Sequence, residues 1–363
     1  MRVLRSLLAA PSLLVVLLTG CSFASSTPAP TTDAAPPTAA DNSDRLLFRT
    51  LPEDEPGCSA AVGREGKIVW AGARGMADLS TGRALTTGTT FDIASVSKQF
   101  TATAVLLLEQ DGRLGLDDPL SRWVTGLPAW SSQVTLEHLM HHTSGIPDYT
   151  RLLSSEGAVI TDRTTQEQAV SAIARRPTLD GLPGRRFEYS NSNYVLLAEV
   201  VRAAAQQSLP EFARSRIFEP LRLDMVIDPH GASPDESSTA SARAHVRDPS
   251  TGRWGPGGSR WEQLGDGSVQ TTPSELVRWA DVYRTGELGG QTLLDAQLRT
   301  GPENYGAGIE VAPDGALSHT GEWAGFLATF DVSSDRRIAV AVECNGPDAI
   351  EGIRAKLREE WMP

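Results

Sequence analysis

Ser95 and Lys98 stand three residues apart in Phe91-Asp92-Ile93-Ala94-Ser95-Val96-Ser97-Lys98-Gln99-Phe100, at the start of an apolar helix. Positions i and i+3 share a helix face, so the Ser95 hydroxyl can reach the Lys98 amine, while Ser97 faces elsewhere. The run Ala102 to Leu108 is apolar on nearly every side, the mark of a helix buried inside a protein. Burial disfavours the charged form of an amine and frees a lone pair to take a serine proton. The pair therefore suits nucleophilic hydrolysis. Alone, Ser-x-x-Lys recurs by chance and equally describes a helix turn with a surface lysine, so the weight falls on what accompanies it.

Two further clusters follow in order. Tyr189-Ser190-Asn191 opens a helical stretch, and His319-Thr320-Gly321 lies in strand-like sequence near the C-terminus. The trio resembles the three motifs of serine β-lactamases and penicillin-binding proteins. Tyr-Ser-Asn in second place and a third motif beginning with histidine resemble the class C β-lactamase, D-alanyl-D-alanine carboxypeptidase, D-aminopeptidase and esterase group. Leu139-Met140-His141-His142-Thr143-Ser144-Gly145-Ile146-Pro147-Asp148-Tyr149, Tyr305-Gly306-Ala307-Gly308 and Trp323-Ala324-Gly325-Phe326 are similar to the same group, and the likeness runs from about Cys58 to Asn345. It implies an α+β, two-lobed, β-lactamase/transpeptidase-like fold: a five-stranded antiparallel sheet flanked by helices, with an inserted, mainly helical lobe and the active site at their junction.

The resemblance also implies roles. Ser95 attacks a carbonyl, and Lys98 with the Tyr189 phenol moves the proton, the phenol becoming a base because a cation stands beside it. Asn191 holds Lys98 or a substrate amide. The third strand supplies His319, Thr320, Gly321 and Glu322 to the substrate, with the backbone N–H groups of Ser95 and Glu322 as an oxyanion hole and Gly321 letting substrate lie close. His319 departs from the lysine of typical penicillin-recognising enzymes. An imidazole of pKa near 6.5 is mostly neutral at pH 7, so attraction for a substrate carboxylate is weakened or made dependent on acidity. Neutral esters or peptides are then favoured over β-lactams.

At the N-terminus Arg2 and Arg5 precede an apolar run from Leu7 to Leu18, a secretory signal too short to span a membrane. Leu18-Thr19-Gly20-Cys21 resembles a bacterial lipobox, making residues 1–20 a signal peptide and Cys21 a lipidated N-terminus. Cleavage after Ser22-Phe23-Ala24 is the plainer alternative. Both send the chain out of the cytoplasm, and the first anchors it to a membrane. Residues 21–43, rich in Thr, Pro, Ala and Ser, read as an unfolded tether. The catalytic region is then 44–363, with a sheet lobe at 44–94 and 265–363 and a helical lobe at 95–264. Once Cys21 is lipidated, Cys58 and Cys344 remain in an oxidising compartment. The family sheet places their strands side by side and antiparallel, so the resemblance implies a disulfide.

Strands are expected over Ser59–Val62 and Lys67–Ala71 as a hairpin, then over Gly306–Val311, Leu317–Thr320, Leu327–Val332 and Arg337–Glu343. Helices are expected over Ser95–Gln110, Leu136–His142, Gln166–Arg176, Ser192–Gln206, Pro210–Phe218 and Ile350–Trp361. Thr164 with Glu167 and Thr272 with Glu275 have capping-box spacing, and Pro273 suits a first helical turn.

A net charge of −12 without basic clusters disfavours nucleic acid. His138, His141 and His142 lack the His-Glu-x-x-His arrangement, and neither metal nor cofactor is expected. Glu219-Pro220 resembles a structural turn, in which Arg222 replaces the usual glycine. Trp254 and Trp261 lie in a loop able to line the cleft. The sequence thus points to a monomeric, exported serine hydrolase acting through an acyl-enzyme on an amide or ester, with cell-wall D-amino-acid peptides or β-lactams as the candidate substrates. A carboxylesterase of the same family is the enzymatic alternative. A non-catalytic module that binds cell-wall peptides is disfavoured by the joint presence of Ser95, Lys98 and Tyr189.

Overall fold

Glu65 and Gly66, both at positive φ (52° and 74°), turn the chain tightly between strand β1 (Cys58–Arg64) and strand β2 (Lys67–Arg74). Two left-handed residues match the twist of the strands they join. The computed structural model describes residues 37–234, 239–346 and 349–362. Four C-terminal strands complete the sheet: β3 (Glu310–Val311), β4 (Leu317–Trp323), β5 (Phe326–Val332) and β6 (Ile338–Cys344), in the order β3-β4-β5-β6-β1-β2 with every pair antiparallel. The sheet has six strands where five were expected. The sixth, β3, is only two residues long, because the glycines of 306–308 fold into a loop instead of extending the strand. Gly308 sits at φ +74°, and a Cβ there would lie 2.5 Å from the Lys98 backbone.

Cys58 and Cys344 face each other in register across β1 and β6 and are joined by a disulfide spanning 286 residues. It ties the first long strand to the last.

Helix α1 (Ala39–Thr50) covers one face of the sheet together with the C-terminal helix, and its first residues correct the expected tether. Composition reads residues 39–43 as unfolded, but Thr38 and Asp41 form a reciprocal capping box that starts the helix there. Ser43, Leu47 and Leu51 then recur every four residues on the buried side. Leu47, Trp70, Val340, Val342, Ile353 and Leu357 form this core layer.

The other face packs on helix α2 (Lys98–Gln110), whose residues from Lys98 to Leu108 are all buried, and on helix α3 (Asn191–Ala205) beyond it. Helix α4 (Pro273–Trp279) starts at Thr272, which caps the Glu275 N–H with Pro273 in the first turn. Phe100 packs between Trp279, tilted with ring centroids 4.8 Å apart, and Phe218, edge-on at 5.4 Å. One hydrophobic cluster runs from Ala61 and Ala341 of the sheet through α2 and α3 to Leu153.

Two local expectations shift. The helix Gln166–Ala174 is capped by Thr165 and Gln168, one residue beyond the expected pair. Thr164 is buried and its backbone is bonded to Arg260 and Glu262, so it is not available as a cap. Arg222 takes the left-handed conformation itself (φ 53°, ψ 40°), so the turn keeps its geometry without glycine.

Candidate active site

Strand residues Phe91–Asp92 pair with Val269–Thr271 and deliver the chain to Ala94, which is left-handed at φ 47°. Residues Ala94–Ser97 then form a 3₁₀ turn leading into α2, rather than the first turn of an α-helix. The change favours the chemistry, because in a 3₁₀ helix positions i and i+3 eclipse. Lys98 is fully buried, and its Nζ lies 2.9 Å from Ser95 Oγ, 2.9 Å from Asn191 Oδ1 and 2.9 Å from the Asp266 carbonyl. Ser97 points away, accepting the Val269 N–H at 3.1 Å.

Asp92 escaped the sequence reading and holds this turn. One carboxyl oxygen accepts the Ala94 N–H at 2.7 Å and the other accepts from Gln270 Nε2 at 3.0 Å. A left-handed alanine costs about 1–2 kcal/mol. A buried hydrogen bond to a charged group contributes about 1.5–3 kcal/mol, enough to offset it. Burial pushes the Asp92 carboxyl up to about 6 against the lowering effect of those two bonds.

Asn191 begins α3, with its own N–H donated to Asp148 at 2.7 Å. Tyr189 lies just before it, its ring centroid 5.0 Å from Lys98 Nζ and stacked on the His142 imidazole at 4.2 Å. His142 is fully buried and accepts through Nδ1 from the Ser190 N–H at 3.3 Å. Desolvation, then the Lys98 charge, keeps its pKa far below the usual value, so it is a neutral platform for the phenol. The three neighbouring histidines serve separate local ends: His138 caps the turn at Thr135, and His141 bonds the Tyr305 carbonyl at 2.9 Å.

On β4 the third motif arrives beside the nucleophile, with two corrections. His319 is buried, its Nδ1 at 2.6 Å from the Thr320 carbonyl and its Nε2 at 3.0 Å from the Tyr305 hydroxyl. The pattern is a neutral ring that donates through Nδ1 and accepts through Nε2. Desolvation, then repulsion from Lys98, depresses its pKa to about 4. It therefore carries no charge from pH 5.5 to 8, and the expected dependence on acidity does not arise there. Gly321 makes room for the protein rather than for substrate: a Cβ would sit 2.3 Å from the Ile93 carbonyl and 3.1 Å from the Ser95 nitrogen. Thr320 is exposed on the strand.

A pocket of about 60 Å³ opens at Ser95, bordered by Asn191, Glu322, Tyr149, Trp261, Asp266 and Trp323 among others. Of these, Tyr149, Asp266 and Trp323 had no role in the sequence reading. Tyr149 and Trp323 stand at the ends of two of the family-like stretches, which carried no assigned role, and no motif marks Asp266. The two loop tryptophans part company: Trp261 borders this pocket, whereas Trp254 borders a separate cavity of about 760 Å³ that does not include Ser95.

The Beta-lactamase family model matches residues 45–360. A penicillin-binding protein of Bacillus subtilis (strain 168) is 28% identical over 86% of this chain and 74% of its own length. A D-aminopeptidase of Brucella anthropi is 30% identical over 76% of this chain, which spans only 53% of that relative. Among solved structures, a D-amino acid amidase from Ochrobactrum anthropi SV3 superposes with a TM-score of 0.74 at 23% identity, covering 89% of this chain and 98% of its own. The octameric penicillin-binding protein homologue from Pyrococcus abyssi gives 0.74 at 23% identity, over 86% and 76%. With a buried lysine on its serine and the family match running through nearly all of the described residues, the chain belongs to the Beta-lactamase family and is a serine hydrolase.

Proposed function

We propose that this chain hydrolyses amides or esters of D-amino acids and short D-amino-acid peptides through an acyl-enzyme on Ser95. The observation that carries the proposal is the threefold setting of Lys98 Nζ. Asn191 Oδ1 and the Asp266 carbonyl can only accept, so they consume two N–H bonds and leave the third direction on Ser95 Oγ at 2.9 Å. In the amine form that direction is the lone pair, which takes the Ser95 proton as Oγ attacks the carbonyl. Tyr189, held by His142 and close to Lys98, passes the proton to the leaving group. The N–H groups of Ser95 and Glu322 receive the developing oxyanion. Water then releases the acyl group.

The D-amino-acid substrate class is supported by the names of the D-aminopeptidase and D-amino acid amidase relatives. A neutral, buried His319 supports poor use of β-lactams, because the cation usual at that position is missing. Export, with lipid attachment at Cys21, is part of the same reading. Residues 1–36 lie outside the described region, and the support is the disulfide, a bond suited to an oxidising compartment. No helix among the described residues is long and apolar enough to cross a membrane.

The test is the trapped adduct. Mass spectrometry after exposure to an activated ester should find the acyl group on Ser95. Ser95→Ala should lose several orders of magnitude in turnover, and Ser97→Ala, which removes only the bond to Val269, should stay within about tenfold of wild type. An adduct on Ser97 or an active Ser95→Ala variant would overturn the assignment.

A further inference from the structure

We infer that Asp266 recognises a cationic amine on the substrate, so that compounds with a free ammonium group beside the scissile carbonyl are the preferred class. The inference rests on Ser95 as nucleophile and adds the group that selects the substrate.

The Ser95 pocket is lined by two carboxylates, Asp266 and Glu322, and by no Lys, Arg or His side chain. Lys98 lies behind Ser95 and has its three Nζ contacts already filled. A substrate carboxylate entering here meets like charge, whereas an ammonium meets opposite charge. The aspartate is also held in place. Its Oδ2 accepts from the Tyr149 hydroxyl at 3.0 Å, and Tyr149 is itself buried with its N–H on Ser192 Oγ at 2.8 Å. Burial, with the Asp266 charge beside it, keeps the Tyr149 phenol protonated and a donor. The walls suit a cation as well. Trp261 and Trp323 border the pocket with ring centroids 5.8 Å apart, and Trp261 is pinned by its indole N–H on the Val159 carbonyl at 3.0 Å. Aromatic rings attract ammonium groups through their quadrupoles.

Position sets which amine fits. Asp266 and Ser95 border the same pocket, and the Asp266 backbone carbonyl shares Lys98 Nζ with Ser95 Oγ, which brings that residue's main chain within two hydrogen-bond lengths of the nucleophile. The pocket beside Ser95 is small, about 60 Å³. An ammonium bound there lies next to the carbonyl that Ser95 attacks and not at the end of a long side chain.

The experiment compares D-alanine 4-nitroanilide with propionyl 4-nitroanilide, which differ only in the amine, for wild type and Asp266→Asn. Wild type should prefer the D-alanine compound in kcat/KM by on the order of 30-fold, as befits a partly desolvated charge pair. The preference should fall to near one in Asp266→Asn. Any general loss of rate through the neighbouring Lys98 contact cancels in the ratio, and circular dichroism checks that the variant is folded. A ratio near one in wild type overturns the inference without reference to any variant, as does a preference retained in Asp266→Asn. Phenyl acetate, neutral and small, separates the two readings. An acetyl adduct on Ser95 with no amine preference leaves the nucleophile standing and removes only the role of Asp266. Absence of any Ser95 adduct removes both.

Discussion

Glu343 lies on β6 with no exposed surface, in register with Ser59 on β1 and Ala328 on β5, and neither carboxyl oxygen has a hydrogen-bond partner. Burial pushes its pKa far above the ordinary value, so the folded protein keeps the proton. An unfolded chain releases it near pH 4.3. The sign follows: with the folded pKa raised, stability is complete below the unfolded pKa and is lost as pH rises toward the folded one. While the native state keeps that proton and the unfolded state does not, wild type loses stability with rising pH at up to about 1.4 kcal/mol per unit. Each such unit is a sizeable share of a total stability of roughly 5–15 kcal/mol. Glu343→Gln keeps the size of the side chain and cannot ionise. Urea unfolding of both proteins at pH 5, 6 and 7 should show the variant gaining on wild type as pH rises, by up to about 1.4 kcal/mol per unit, with unchanged m values. Other titrating groups, Asp92 included, cancel in the difference. Parallel stability curves over those two pH units would refute the reasoning, since Glu343 would then titrate alike in both states.

Gly321→Ala drives a Cβ into the Ile93 carbonyl and displaces the Ser95 turn, so kcat should fall by about 100-fold while the circular dichroism spectrum is kept; an unchanged kcat would mean that this contact does not set the nucleophile. Because His319 is neutral from pH 5.5 to 8, the ratio of penicillin acylation to neutral ester hydrolysis should be flat over that range; a several-fold rise toward pH 5.5 would show an imidazolium at work. Replacing Cys58 and Cys344 together by serine should lower unfolding stability by roughly 2–4 kcal/mol with activity retained, measured against wild type under non-reducing conditions.

The hairpin at Glu65-Gly66, the buried helix after Lys98, the start of α3 at Asn191 and the cap at Thr272 were all legible because each is written in a short stretch. A turn pair, an apolar run and a capping residue act on their own neighbours. The same locality made composition misleading at α1. A Pro, Thr and Ala-rich average hid the Thr38 and Asp41 cap, and the 3₁₀ turn at Ala94–Ser97 looked like ordinary helix.

By itself the sequence determined which residues could do the chemistry, Ser95 with Lys98 above all, because their spacing of three is a local property of the backbone. Only the tertiary structure decided the surroundings that give those residues their properties. Asp92 at the Ala94 N–H, the Asp266 carbonyl on Lys98 and Tyr305 on His319 join segments far apart in the chain. The neutrality of His319 was undecidable from its type, since an imidazole's charge near pH 6.5 is set by burial and by neighbouring cations, and both exist only once the chain has folded.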